Sequence, residues 1–211
     1  HYPLRRQRQM CIRDRKTGVD LPGEISGRVR DIQYWDSYSI TSIPMGHELG
    51  VTSIQLARAM CVIANGGMLV KPRVVDRIID KEGNSIVEFN TEINGSVISE
   101  PTAQSVRELM KGVVENGTGK AAKLKFYTSG GKTGTSQKIG PDGRYSHNKF
   151  VASFAGFAPA DNPAIVICVM VDEPGPVYYG GTVAAPVFKE IAEQVLRYLK
   201  IEPDKEERKS I

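Results

Sequence analysis

Apolar residues recur along this chain with two periods, and the two rhythms divide it into helices and strands before any chemistry is considered. Ile54, Ala57, Met60, Cys61 and Ala64 fall on one helical face, with Thr52 and Gln55 spaced as an opening capping box and Asn65-Gly66-Gly67 as the stop. That stripe predicts Gln55 and Arg58 on the solvated side. A second helix is predicted from Ser99-Glu100-Pro101, burying Val106, Leu109, Met110, Val113 and Val114 and ending at Gly117-Thr118-Gly119. The clearest helical stripe is the last: Ala184, Val187, Phe188, Ile191, Ala192, Val195, Leu196 and Leu199, with Thr182 as its cap and Pro186 in its first turn.

Between these helices lie shorter apolar runs that read as strands. Residues 74–79 and 85–89 form a hairpin across Asp80-Lys81-Glu82-Gly83-Asn84. Residues 124–126, 129–137, 150–157 and 164–171 follow, with turns at Gly140-Pro141-Asp142-Gly143 and at 159–163, so the last three strands make an antiparallel meander. The run 164–171 is apolar at every position and is expected to be covered on both faces. The pattern predicts an α/β chain of the α+β type, an antiparallel sheet flanked by helices. Residues 17–24 read as a loop with a Pro22-Gly23 turn, and the mixed-charge stretch 202–211 as a frayed tail.

Chemistry concentrates in Ser129-Gly130-Gly131-Lys132-Thr133-Gly134-Thr135-Ser136-Gln137. Glycine permits close approach, and the strand period of two puts Thr133 and Thr135 on one face and Lys132 on the other. A row of hydroxyls beside an ammonium suits recognition of a carboxylate or acyl group. Gly131-Lys132-Thr133 also resembles the end of a phosphate-binding loop, but that motif needs a glycine five positions earlier, where Phe126 stands. His47, in the loop before the first helix, reads as structural.

Composition narrows the function classes. Of a net charge of +4, from 28 basic and 24 acidic residues, residues 1–15 alone supply five arginines against Asp14, which leaves the remainder neutral and argues against nucleic acid. These fifteen residues carry no apolar period and read as a basic lead outside the fold. Cys11, Cys61 and Cys168 are too scattered for a disulfide framework or a metal site, and Cys61 and Cys168 sit in apolar runs that suit core thiols. The longest apolar run is far shorter than the about 20 residues a membrane helix needs.

The segment around Lys132 resembles the Lys-Thr-Gly motif of the penicillin-binding proteins, specifically the C-terminal part of a class B transpeptidase domain. Residues 17–24, 46–67, 117–121 and 150–174 agree with that family in order, so the resemblance spans 16–201 with 202–211 as a tail. It implies a β-lactamase/transpeptidase-like fold and no cofactor. The implied reaction is a peptidoglycan D,D-transpeptidation at the outer face of the cytoplasmic membrane, on an anchor this chain does not show. Peptidoglycan stem peptides are then the substrate, β-lactams the inhibitors, and cell-wall synthesis or division proteins the further partners. By the same resemblance Lys132 shapes the proton network of the nucleophile, Thr133, Gly134 and Thr135 bind the substrate with the two threonines on its terminal carboxylate, and the Thr135 N–H supports the oxyanion.

One departure is plain. The family's Ser-x-x-Lys and Ser-x-Asn should precede residue 17, and His1 to Arg15 match neither. Ser129-x-x-Lys132 and Ser146-x-Asn148 match only formally, the first on a strand and the second in the wrong order. The expectation is a fragment holding one wall of an active site, itself inactive. The alternatives are a scaffold that lost its nucleophile, or a related D,D-carboxypeptidase or β-lactamase.

Overall fold

The computed structural model describes residues 16–141 and 143–205. The expectations for residues 1–15, Cys11 and residues 206–211 therefore lie outside the described residues.

The chain opens with a loop clamped by its own carboxylates. Glu24 accepts the Thr17 hydroxyl at 2.6 Å and the Gly18 N–H at 3.0 Å, and Asp20 reaches the N–H groups of Val74 and Val75 at 2.7 and 2.9 Å. Strand β1 (Arg28–Val29) then pairs antiparallel with β2 (Leu49–Gly50), around helix α1 (Ser37–Ser42). Asp36 caps α1 by accepting the Ser39 N–H at 2.8 Å. Glu48, at a left-handed φ of 60°, gathers Arg30 and the buried hydroxyls of Ser39 and Ser42 on its carboxylate. A non-glycine residue is held in that region only when its surroundings over-determine it, and these bonds supply the determination.

Helix α2 (Ser53–Ala64) begins as its capping box requires, the Thr52 N–H donating to Gln55 Oε1 at 2.9 Å. Gln55 and Arg58 are buried, at 1% and 7% exposure, against the expectation of a solvated side. For Arg58 the reason is β3 (Met68–Val70), which packs on α2 so that Arg58 Nε donates to the Val70 carbonyl at 2.7 Å. A hairpin of β4 (Arg77–Ile79) and β5 (Ser85–Glu88) follows as expected, and β6 (Ile93–Ser96) returns to pair with β3.

Helix α3 (Glu100–Glu115) is capped by Ser99 and buries Ala103 and Val114. Leu109 is 73% exposed, not buried. It stands about 100° round the helix from Met110, which is enough to leave the contact face. Residues 124–126 do not form a strand. Their backbone is satisfied elsewhere: the Lys125 N–H by Glu193 at 2.9 Å, the Phe126 carbonyl by the Lys205 N–H at 3.2 Å, and the Leu124 carbonyl by the Lys205 ammonium at 2.8 Å. Thr128 N–H donates to Asp204 at 2.6 Å, so residues 202–205 are bound down rather than frayed.

The central sheet is the expected meander: β7 (Gly130–Ile139), β8 (Tyr145–Ala158) and β9 (Ile165–Asp172), antiparallel in that order. A short helix α4 (Gly180–Val183) leads into α5 (Ala185–Tyr198). Thr182 lies inside α4 and does not cap α5, whose N-cap is Ala184 with no side-chain bond. On one face of the sheet Phe188, Ala192 and Leu196 of α5 pack on Phe154 and Ala158, the Phe154 and Phe188 rings 4.8 Å apart. Val187 and Ile191 fall at the rim of that contact and remain partly exposed. On the other face Met60 of α2 packs with Ala155 and Phe157. Strand β9 meets both layers, Ile165, Ile167, Val169 and Val171 on the α5 side and Val166 and Cys168 on the α2 side, which is the two-sided cover its composition predicts.

Candidate functional site

Two glycines fix how β7 enters the site. A Cβ on Gly130 would stand 2.6 Å from the Phe157 ring, and one on Gly131 would stand 2.5 Å from the Phe154 ring. Aromatic rings from the two faces of the sheet therefore lie against the strand, and only glycine leaves them room. The close approach is chiefly by side chains, where the sequence suggests a second backbone.

Beyond the glycines the register places Thr133 opposite Phe154 and Thr135 opposite Ala152, on one face, with Lys132 opposite Ala155 on the other. The long Lys132 stem brings its ammonium back along the strand, where it donates to the Thr133 carbonyl at 2.9 Å and meets the Thr133 hydroxyl at 3.4 Å. Lys132 is exposed, and so is Thr135. The Lys132 ammonium thus reaches Thr133 although the pleat separates their Cβ atoms.

Thr133 and Thr135 line a cleft of about 530 Å³, closed on one side by Thr118, Lys120 and Ala121 and on the other by residues 179–182. The Thr118 and Thr133 hydroxyls are 2.9 Å apart. The Gly180 N–H donates to the Thr135 hydroxyl at 3.2 Å. Both flanking segments press close: a Cβ on Gly181 would stand 2.4 Å from the Thr118 carbonyl oxygen. Tyr179, which lines the cleft, packs beside Tyr178 at 4.7 Å, and Tyr178 stacks on Phe150 with 3.9 Å between centroids. Hydroxyl donors and an ammonium on a strand, beside the Tyr179 ring, have the chemistry to receive a carboxylate.

Thr118, Tyr179, Gly180 and Gly181 escape a reading by periodicity. By period Gly117-Thr118-Gly119 reads as a helix stop, although the family resemblance already takes in residues 117–121, and Tyr178-Tyr179-Gly180-Gly181 reads only as the approach to a helix, where the signal available was a second pair of glycines.

The other marked residues lie apart from the cleft. Ser129 is buried and donates to the Ala122 carbonyl at 3.1 Å, while Ser146 engages Asn148 within the β7–β8 hairpin at 2.8 Å. The His47 ring packs edge-on to Tyr145 at 5.5 Å, in a second cleft of about 420 Å³ that Arg28, Arg30 and Gln137 also line. Cys61 and Cys168 are half-buried free thiols, and burial pushes both upward from the ordinary thiol value, away from reactivity.

Comparison with known proteins gives the family. The penicillin-binding protein transpeptidase domain matches residues 11–193. Stage V sporulation protein D of Bacillus subtilis is 39% identical over 192 residues, covering 90% of this chain and 30% of that protein. The probable peptidoglycan D,D-transpeptidase PenA of Neisseria flavescens is 37% identical over 187 residues, covering 88% of this chain and 44% of that protein. Penicillin-binding protein 3 of Mycobacterium tuberculosis, solved with aztreonam, superimposes with a TM-score of 0.84 at 34% identity, over 97% of this chain and 47% of that one. The chain therefore spans less than half the length of these relatives.

Proposed function

The chain belongs to the transpeptidase domain family of the penicillin-binding proteins, and from that membership we propose that the intact protein is a serine-type peptidoglycan D,D-transpeptidase to which this chain contributes the wall that binds carboxylate and oxyanion. The observation that carries the proposal is the meeting of the Lys132 ammonium and the Thr133 hydroxyl on a strand that also presents Thr135 to the same cleft.

The reaction assigned is acyl transfer. A serine oxygen attacks the penultimate D-alanine carbonyl of a stem peptide, and the bond to the terminal D-alanine breaks. That residue leaves as the amine, and an amine of a neighbouring stem then takes the acyl group and frees the serine. Thr133 and Thr135 donate to the terminal carboxylate. The Thr135 N–H faces the oxyanion, a type of contact worth roughly 2.7 to 4 kcal/mol per donor. Lys132 supplies positive potential next to the nucleophile, and Gly134, between the two threonines, gives room to Ser153, whose Oγ would stand 2.4 Å from any Cβ there. β-Lactams enter as mimics of the D-alanyl terminus, and M. tuberculosis penicillin-binding protein 3 has been solved with both aztreonam and ampicillin. The site of action is the outer face of the cytoplasmic membrane, and cell-wall synthesis and division proteins are the partners; no helix among the described residues is long and apolar enough to cross a membrane.

The nucleophile is not assigned to this chain. Among the described residues neither Ser129 nor Ser146 bonds a lysine or histidine side chain, and an acylating serine needs such a base. The test is a fluorescent penicillin incubated with the 211-residue chain and with the intact protein, followed by denaturation and electrophoresis. The intact protein should carry a covalent band and the chain none. An unlabelled intact protein would overturn the enzymatic reading in favour of a scaffold, and a stoichiometric band on Ser129 or Ser146 would overturn the assignment of the nucleophile.

A further inference from the structure

We infer that Thr118 is a positioning residue that turns the Thr133 hydroxyl into an obligate donor for the ligand's carboxylate; the inference rests on the acyl-transfer reading above. A hydroxyl has one proton and two lone pairs, whereas an ionised carboxylate can only accept. A threonine serves a carboxylate only if its proton is not already spent within the protein. The cleft arranges this twice. The Thr135 oxygen accepts the Gly180 N–H at 3.2 Å, a backbone group that can only donate, so its own proton is left for the cleft. The Thr133 oxygen is met by the Lys132 ammonium at 3.4 Å, also donor only, and by the Thr118 hydroxyl at 2.9 Å. When Thr118 donates, both lone pairs of Thr133 are engaged and its proton points outward. A carboxylate beside Thr133 selects that direction, because the reverse would set an oxygen lone pair against the anion.

Thr118 is held for this task by its backbone. The Gly119 N–H donates to the Val113 carbonyl at 3.0 Å, which fixes the loop on the end of α3. From the other side Gly181 leaves room for the Thr118 carbonyl, where any Cβ would stand 2.4 Å from the oxygen. Its side chain is exposed to the cleft rather than packed in the core, so its removal need not disturb folding.

The experiment compares the intact protein with its Thr118→Val and Thr118→Ser variants. Acylation rates are measured with benzylpenicillin and with benzylpenicillin methyl ester, whose carboxylate is masked. Thr118→Val should slow acylation by benzylpenicillin about three- to tenfold, the size of one net hydrogen bond. Thr118→Ser should restore it, and the ester, slow from the outset, should show no further loss in either variant. An equal loss with the ester, or a serine variant as slow as the valine one, would make Thr118 merely structural and overturn the inference. A wild-type protein acylated normally with Thr118→Val indistinguishable from it would overturn this inference alone. A wild-type protein that no penicillin acylates would overturn the acyl-transfer reading and this inference with it.

Discussion

Gly180 lies so close to Gly134 that a Cβ on the first would stand 2.4 Å from the carbonyl oxygen of the second, and 2.2 Å from that of Ser153. Both obstacles are backbone atoms of the central sheet, which cannot swing aside as a side chain can. Gly180→Ala should therefore force α4 away from β7 and destabilise the protein by about 1 to 3 kcal/mol. Gly112 in α3 meets nothing within 4 Å, so Gly112→Ala should act with the opposite sign, stabilising by about 0.5 to 1 kcal/mol. Denaturant midpoints at unchanged slope measure both.

Lys132 is exposed and, among the described residues, bonds only to Thr133. Lys132→Ala in the intact protein should slow β-lactam acylation by at least about a hundredfold, on the scale of a lost electrostatic catalytic group, while the melting temperature changes little. A large drop in melting temperature with unchanged acylation would make the lysine structural.

In the proposed function the two threonines act on one ligand group. Replacing Thr133 and Thr135 together by valine keeps their shape and removes both donors. Binding of carboxylate-bearing ligands should weaken by roughly 1.5 to 3 kcal/mol for each hydrogen bond to charge that is lost. Acylation kinetics indifferent to the double change would move the carboxylate site elsewhere.

Acid should release the first loop. The N–H groups of Val75 and Val74 hold the Asp20 carboxylate below its ordinary value of 3.8. A carboxyl depressed by folding adds stability above its unfolded value, and that stability is lost as pH falls through the lower folded value. Asp20→Ala should thus lower the melting temperature at about pH 6, with the gap to wild type closing below about pH 4. A gap independent of pH would show that the ionised state contributes nothing.

How much of this was legible in the sequence follows from how local each signal is. The three long helices and the meander were readable because their apolar periods run over many residues, and the paired glycines before Lys132 marked the strand that carries the site. Strands β1 and β2 were not readable, since two residues leave no period. The burial of Arg58 depends on the carbonyl of Val70, twelve positions away, and no helical wheel contains that information. Thr118 joins Thr133 across fifteen positions, and the backbone of Leu124, Lys125 and Thr128 finds partners 68 to 81 positions downstream. Contacts at such separations are set by the completed fold rather than by neighbours.

Those distant partners bear on the order in which the protein is made. A chain leaves the ribosome from its N-terminus at about 5 to 20 residues per second. Residues 124–128 lead directly into the strand of Lys132, yet Glu193, Ile201, Asp204 and Lys205, which tie them down, are among the last of this chain to emerge. The entrance to the strand bearing Lys132 therefore lacks these ties until residue 205 has cleared the exit tunnel, and has only earlier ones such as the Ala160 N–H, which donates to the Thr128 hydroxyl at 2.8 Å. Nascent chains stalled before and after that point should differ in their resistance to protease at residues 124–128.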